Sequence, residues 1–349
     1  MMALRDLVNV RDVRSDSDTE QGSGSAVSRL AVLLKAQSLL IFVVLVLIMI
    51  VFAILAPNTF AQASNLRLIA QNAAILMVLG VGATFVLIAG GIDLSVGSVL
   101  VFSGVTASSV MKSIGGDGWG TAAIGLLVAL VSGLLWGLIN GLLVAKAKVP
   151  DMIVTLATMG IALGISLVLT GGEDIRGVPA VLADNIGYGN VFLNIPTLVA
   201  IAAVIAAIGA ILLNATRFGL YTRAVGSNAE SVKRAGVNVS WHIIKVYMVS
   251  GLCAGLAGLL SIAEFSTTAI SGNTQTAFMA LTAVILGGTS LFGGVGGIFG
   301  TVVGVSIPAV LQNGFIITGV QPFWQPVATG CVLIVAVYVD QLRRSRSSI

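Results

Sequence analysis

The feature that most constrains this chain is the length of its uncharged stretches. Apolar segments at about 38–56, 68–89, 92–112, 121–145, 152–170, 194–213, 242–263, 276–290, 296–317 and 323–341 follow one another with short polar interruptions. A helix rises 1.5 Å per residue, so roughly 20 such residues cross a hydrocarbon core about 30 Å thick. Charged residues make up 9% of the chain and apolar ones 57%, with a mean hydropathy of +1.05. Soluble domains carry about a quarter charged residues. The expected fold class is therefore an all-α polytopic membrane protein of about ten transmembrane helices. The 42 glycines suit that class, because small residues let helices approach closely in lipid.

An even number of spans puts both termini on one side. With the N-terminus inside, the arginines and lysines of the tails and of residues 214–241 collect on the cytoplasmic side, and only Arg67, Lys112 and Arg176 fall outside. Residues 1–35 are expected as a disordered cytoplasmic tail without a signal-peptide pattern, 36–342 as the transmembrane domain, and 343–349 as a second cytoplasmic tail. The stretch 171–190 is a polar outer loop with Glu173, Asp174 and Asp184. Residues 214–241 form a basic inner loop. Cys253 and Cys331 lie in apolar runs with no CxxC spacing, so packing is expected and a disulfide or metal site is not. His242, beside Trp241, is expected as an interfacial anchor.

Two motifs interrupt the apolar pattern. GGIDLSVG (Gly90 to Gly97) places Asp93 at the edge of a span, where a carboxylate costs about 2.5–3.5 kcal/mol and usually serves function. Gly90, Gly91 and Gly97 permit a helix break there, and Asp93 with Ser95 is expected to cap the following helix. GGTSLFGG (Gly287 to Gly294) echoes the motif, with Gly287 and Gly288 in the glycine positions and Ser290 in place of the acid. A second echo joins NGLLVAKAKVP (from Asn140) to NGFIITGVQP (from Asn313). The second pair falls at opposite membrane faces, as inverted repeats require. The first falls on the same face, so either 92–112 or 276–290 is expected to be broken or re-entrant. Polar side chains within the spans include Gln71, Asn72, Thr84, Ser103, Asn140, Thr155, Thr158, Thr282, Gln312 and Asn313. Interhelical hydrogen bonds are their default expectation, and Asn72, Asn140 and Asn313 are pathway candidates for an uncharged polyhydroxylated solute.

The inner loop contains NAESVKRAG (Asn228 to Gly236). This reads as a two-turn helix with Glu230 in its first turn, Lys233 and Arg234 in its last and Gly236 ending it. GGIDLSVGSVL, this loop and AVILGGTSLFGGVGG together resemble the integral-membrane permease subunit of ribose-type ATP-binding cassette sugar importers, from about Leu39 to Arg344. The resemblance implies an importer permease fold and a coupling loop, at Glu230, Ser231, Val232 and Gly236, that docks an ATPase subunit. Ser231 and Val232 stand where that family has two alanines. It also implies a solute-binding protein, a second permease subunit (a copy or a paralogue) and a place in the bacterial inner membrane. Many relatives carry two acids just before the second glycine motif, at positions that here are Ala277 and Met279. That departure leaves the solute open between a ribose-like sugar and a sugar alcohol.

Three function classes are open to such a chain. A permease subunit of an ATP-driven importer needs no chemistry of its own. The chain has no GxxxxGK[ST] phosphate loop, so ATP and its Mg²⁺ are expected on a partner and no cofactor on this chain. An ion-coupled secondary transporter needs titratable groups in its spans, and Asp93 and Glu264 are the only candidates. An intramembrane enzyme needs an acid–base pair or a metal cluster, and the sequence offers neither.

Overall fold

The computed structural model describes residues 41–270 and 273–321, together with a scatter of residues between 323 and 338. The tails 1–35 and 343–349, and most of the tenth expected span at 323–341, lie outside the described residues. The elements are α1 (Ile41–Leu55), α2 (Ala63–Ile88), α3 (Val96–Ile114), α4 (Trp119–Ala145), α5 (Asp151–Thr170), the single turn α6 (Ala180–Leu182), α7 (Thr197–Ala215), α8 (Arg217–Arg234), α9 (Val239–Phe265), α10 (Asn273–Leu286) and α11 (Ile298–Ile317). Between α6 and α7 two short strands pair antiparallel, Asn190 with Pro196 and Val191 with Ile195.

Among the described residues seven helices, α2–α5, α7, α9 and α11, are long and apolar enough to cross a membrane. Helices α1 and α10 match two further expected segments but are shorter. At 14 residues α10 spans only about 21 Å, well under the hydrocarbon thickness. The irregular piece of the second half is therefore α10, while α3 runs its full 19 residues.

Helix α9 is the central element. It crosses α4 antiparallel along facing rows of small residues, with Ala129, Gly133, Gly137 and Gly141 on one helix and Tyr247, Gly251 and Gly255 on the other. A β-carbon on Gly133 would strike the backbone of Gly251, and one on Gly137 would strike that of Tyr247. Lipid tails are as apolar as leucine, so close backbone approach holds helices together where hydrophobic burial cannot. The same helix meets α2 at Gly82 and Cys253, and α3 at Gly104 and Gly258. Helices α4, α5 and α7 keep most of their outer faces uncovered, as lipid-facing helices must.

Most hydroxyls in the spans bond along their own helix instead of across to another. Thr84, Thr155, Thr158 and Thr282 each donate to the carbonyl four residues back. Cross-helix polar links are fewer and include Thr84 with Thr301 at 2.7 Å, and Asn65 with Asn313 through two reciprocal amide bonds of 3.0 and 2.8 Å. His242 also departs from expectation. It is buried, 3.0 Å from the Thr222 hydroxyl and with its ring tilted against Phe218 at 5.0 Å, so it ties α9 to α8 and is no interfacial anchor. Its neighbour Trp241 keeps the exposed position, with Lys245 over its ring.

Candidate functional site

Helix α2 ends in a glycine-terminated motif. Gly90 has φ of +85°, its N–H donates to Leu87 O, and the Gly91 N–H donates to Val86 O. That pair of bonds satisfies two carbonyls at the helix end and turns the chain out of the helix. Helix α10 ends the same way at Gly288, with φ of +90°, Gly288 N–H to Ile285 O and Thr289 N–H to Val284 O. The two motifs therefore share a mechanism, but one residue out of step. The first glycine of GGIDL takes the left-handed conformation, whereas in GGTSL the second does and Gly287 is needed for close contact with Gly300.

Asp93 is 5% exposed. Its Oδ1 accepts from the Ser95 N–H at 3.0 Å and the Ser95 hydroxyl at 2.6 Å, and its Oδ2 accepts from the Ser250 hydroxyl of α9 at 2.9 Å. Ser95 Oγ accepts in turn from the Asn140 amide of α4 at 2.8 Å. Asp93 thus corrects the expected helix cap. Ser95 itself is the N-cap of α3, with no side-chain cap bond to the first turn, and the carboxylate makes a local turn plus a link to two other helices. In the echo, Ser290 Oγ accepts the Phe292 N–H at 3.2 Å, reproducing the local turn.

The remaining predicted residues separate into groups. Gly97 lies within the first turn of α3 and takes no part in the break. Asn140 belongs to the Asp93 network. Asn313 lies at the opposite end of the molecule, beside Asn65 at the start of α2, and Asn72 is half-buried along α2. The NGLL and NGFI echoes therefore do occupy opposite ends. The GGIDL and GGTSL loops meet, with the Gly294 N–H donating to Ile88 O at 2.8 Å. Ala277 and Met279 are buried in the packing of α10, where apolar side chains fit and an unpaired acid would be costly.

Gly226 of α8 completes this joint. A β-carbon there would overlap Ile88 O and approach Gly294 N at 2.6 Å, so α8 touches both glycine loops through bare backbone. Beyond it the helix kinks at Asn228, whose backbone is non-helical (φ −162°, ψ 93°), and the Asn228 side chain caps a new turn by accepting the Ser231 N–H at 3.0 Å. This short arm carries Glu230, Ser231 and Val232 and closes at Gly236, with φ of +84° and the Val237 N–H on Val232 O. The expected two-turn helix is present, and its residues from Ala229 to Gly236 are exposed except Val232. Glu230 and Arg234 pair at 3.8 Å with both side chains largely in solvent, a contact worth little to stability. Arg223, in the first half of α8, donates to Asn214 Oδ1 at 2.7 Å. Burial lowers its pKa below the usual arginine value, yet so strong a base stays charged.

Residues 65–337 match the family described as branched-chain amino acid transport system / permease component. The chain belongs to this permease family. It is also 34% identical over 328 residues to the ribose import permease protein of Escherichia coli K12, covering 93% of this chain and 99% of that protein. The D-allose transport system permease protein of the same organism is 34% identical over 305 residues, covering 86% and 90%. The fructose import permease protein of Rhizobium meliloti is 34% identical over 307 residues, covering 86% and 84%. No solved structure matches. The permease is thus a multi-pass membrane protein, and the relatives named here are transport permeases.

Two residues of its site escaped the sequence reading. Asp151, the first residue of α5, accepts the Ile92 N–H on Oδ2 at 2.6 Å, and Tyr247 of α9 donates to Ile92 O at 3.4 Å. Together they hold both backbone polar groups of Ile92, in the broken segment. The available signal for Asp151 was its place after Pro150, a helix-start pattern. Nothing local marks Tyr247.

Proposed function

We propose that this permease is the membrane-spanning subunit of an ATP-binding cassette importer that carries a monosaccharide, a ribose-like sugar or a sugar alcohol, into the cytoplasm. The single observation carrying this reading is the α8 arm. It exposes Glu230 to Gly236 to a partner while its own base, Gly226, rests on both glycine loops. An arm so placed converts a push from a partner into movement of the helix ends at Gly90 and Gly288. The similarity to ribose, allose and fructose permeases over most of both chains supports the sugar class.

In this reading a separate ATPase subunit docks on the arm and hydrolyses ATP with its own Mg²⁺, and this chain is neither an enzyme nor a cofactor carrier. A solute-binding protein delivers the sugar from outside, and a second permease, a copy or a paralogue, completes the membrane unit. Both termini lie in the cytoplasm and the membrane is the bacterial inner membrane. ATP drives the cycle because it binds the closed ATPase pair more tightly than the open one, which is the only way a ligand shifts an equilibrium. Asp93, Ser95 and Asn140, with Gly90, Gly91, Gly287, Gly288 and Ser290, form the break that moves.

The test is reconstitution of the permease with its ATPase and binding protein in liposomes, assayed for uptake of labelled D-ribose, D-allose and D-fructose. ATP-dependent uptake of at least one sugar is expected. Uptake by the permease alone, driven by a sodium or proton gradient, would overturn the reading.

A further inference from the structure

The cytoplasmic end of the molecule contains a cavity of about 210 Å³ walled by the end of α2, the turn between α4 and α5, and α9. Its polar groups are the Asp151 carboxylate and the Tyr247 hydroxyl, and its floor is Gly90–Gly91. At about 30 Å³ per water in the liquid it holds some seven waters, the scale of one monosaccharide ring. Gly91 keeps it open. A β-carbon there would sit 2.9 Å from Tyr247 Oη and 3.5 Å from Asp151 Oδ2, covering the two groups that face inward.

Each polar group has capacity left. Asp151 uses one acceptor position on each oxygen, for Met152 N–H at 2.9 Å and Ile92 N–H at 2.6 Å, and a carboxylate offers about four. Tyr247 is 2% exposed and donates its only proton to Ile92 O, which leaves its oxygen able to accept. An acceptor-rich carboxylate beside a phenol oxygen suits a solute bearing several neighbouring hydroxyls, which can donate to both. The floor is also the joint with the coupling arm, since a β-carbon on Gly90 would lie 3.7 Å from Gly226 Cα of α8.

From these observations we infer that the cavity is an exit vestibule for the transported sugar, with Asp151 and Tyr247 as its hydroxyl-binding residues and Gly90–Gly91 as a wall that α8 displaces. The inference rests on the sugar-import reading and adds a solute subsite on the cytoplasmic side.

The test uses the full transporter in inside-out vesicles, with Val149→Cys on the cavity wall and Cys253 and Cys331 changed to alanine. A charged, membrane-impermeant methanethiosulfonate labels the vestibule thiol, and D-ribose, D-allose or D-fructose is added as protectant. The sugar that the parent complex imports should slow labelling several-fold. Losing one hydrogen bond typically weakens binding about tenfold, so Asp151→Asn and Tyr247→Phe should each raise the protecting concentration by about that factor. Parent import without protection overturns the vestibule and leaves the transport reading standing. Protection unchanged in both variants overturns the two residue assignments, and import of none of these sugars, nor of ribitol added as a sugar alcohol, overturns both readings together.

Discussion

The GGIDL and GGTSL loops end their helices by the same device and differ in the side chain that follows the glycines, an acid in one and a hydroxyl in the other. Both use a left-handed glycine and two backbone bonds to stop a helix, and both place a short polar side chain three residues into the motif to bond two residues ahead. Asp93 makes the same turn, then uses its second oxygen to hold Ser250 on α9 and, through Ser95, Asn140 on α4. The bend therefore needs a small acceptor, and the acid is what fastens the bend to other helices. The buried Asp93 carboxyl accepts three hydrogen bonds, which offset part of its lost hydration.

The comparison can be broken at several points. The largest expected effect is at the shared joint. Gly226→Val puts a side chain where both loops meet α8, and overpacking against backbone typically costs 1–3 kcal/mol or more. The yield of folded permease in detergent, measured by size-exclusion chromatography, should fall severalfold or more, whereas Gly236→Ala should lower it less, because open space surrounds Gly236 and only its left-handed backbone (φ +84°) opposes a side chain.

Next is Asp93→Ala, which strands the Ser250 and Ser95 hydroxyls. Unsatisfied buried partners of a charged group cost about 2–3 kcal/mol, seen as a lower midpoint in thermal unfolding. Ser290→Ala should cost about 1 kcal/mol or less in the same assay. Equal losses at the two positions would mean that the acid contributes nothing beyond the turn. Asn313→Ala, at the far end of α2, sharpens the comparison as a reference. Interhelical polar pairs in membranes average about 0.6 kcal/mol, so it should cost about as much as Ser290→Ala and well under Asp93→Ala. Smallest in stability is Glu230→Ala on the exposed arm, with a change near zero. Its expected effect is on capture of the ATPase subunit in a pull-down, and unchanged capture would remove the docking assignment.

Much of this arrangement was legible in the residues. Span lengths follow from uninterrupted apolar runs, the breaks from paired glycines, and the α8 arm from a glutamate-first, basic-last pattern closed by glycine. What escaped was set by partners distant in sequence. Gly226 sits among polar residues and reads as an ordinary loop glycine until Ile88 and Gly294 arrive beside it. His242 reads as a boundary residue because its partner Thr222 lies across a turn on another helix. The hydroxyls of the spans were expected to bridge helices, but a threonine in a helix always has its own carbonyl four residues back within reach, and most took it. Asp93 was correctly placed at a break and wrongly read as a cap, since only the folded position of Ser250 shows what its second oxygen holds.

The most direct measurement of the central claim converts one loop into the chemistry of the other. Asp93→Ser preserves the turn and removes the tie to α9, and the complex it forms can be assayed for sugar-stimulated ATP hydrolysis after reconstitution. Permease carrying the substitution should still bind its ATPase normally through the untouched arm, while stimulation by the binding protein and sugar falls about tenfold or more, the scale set by losing one charge-assisted hydrogen bond. Stimulation equal to that of the parent complex would contradict the claim that the Asp93 tie transmits movement between the coupling arm and the helix bundle.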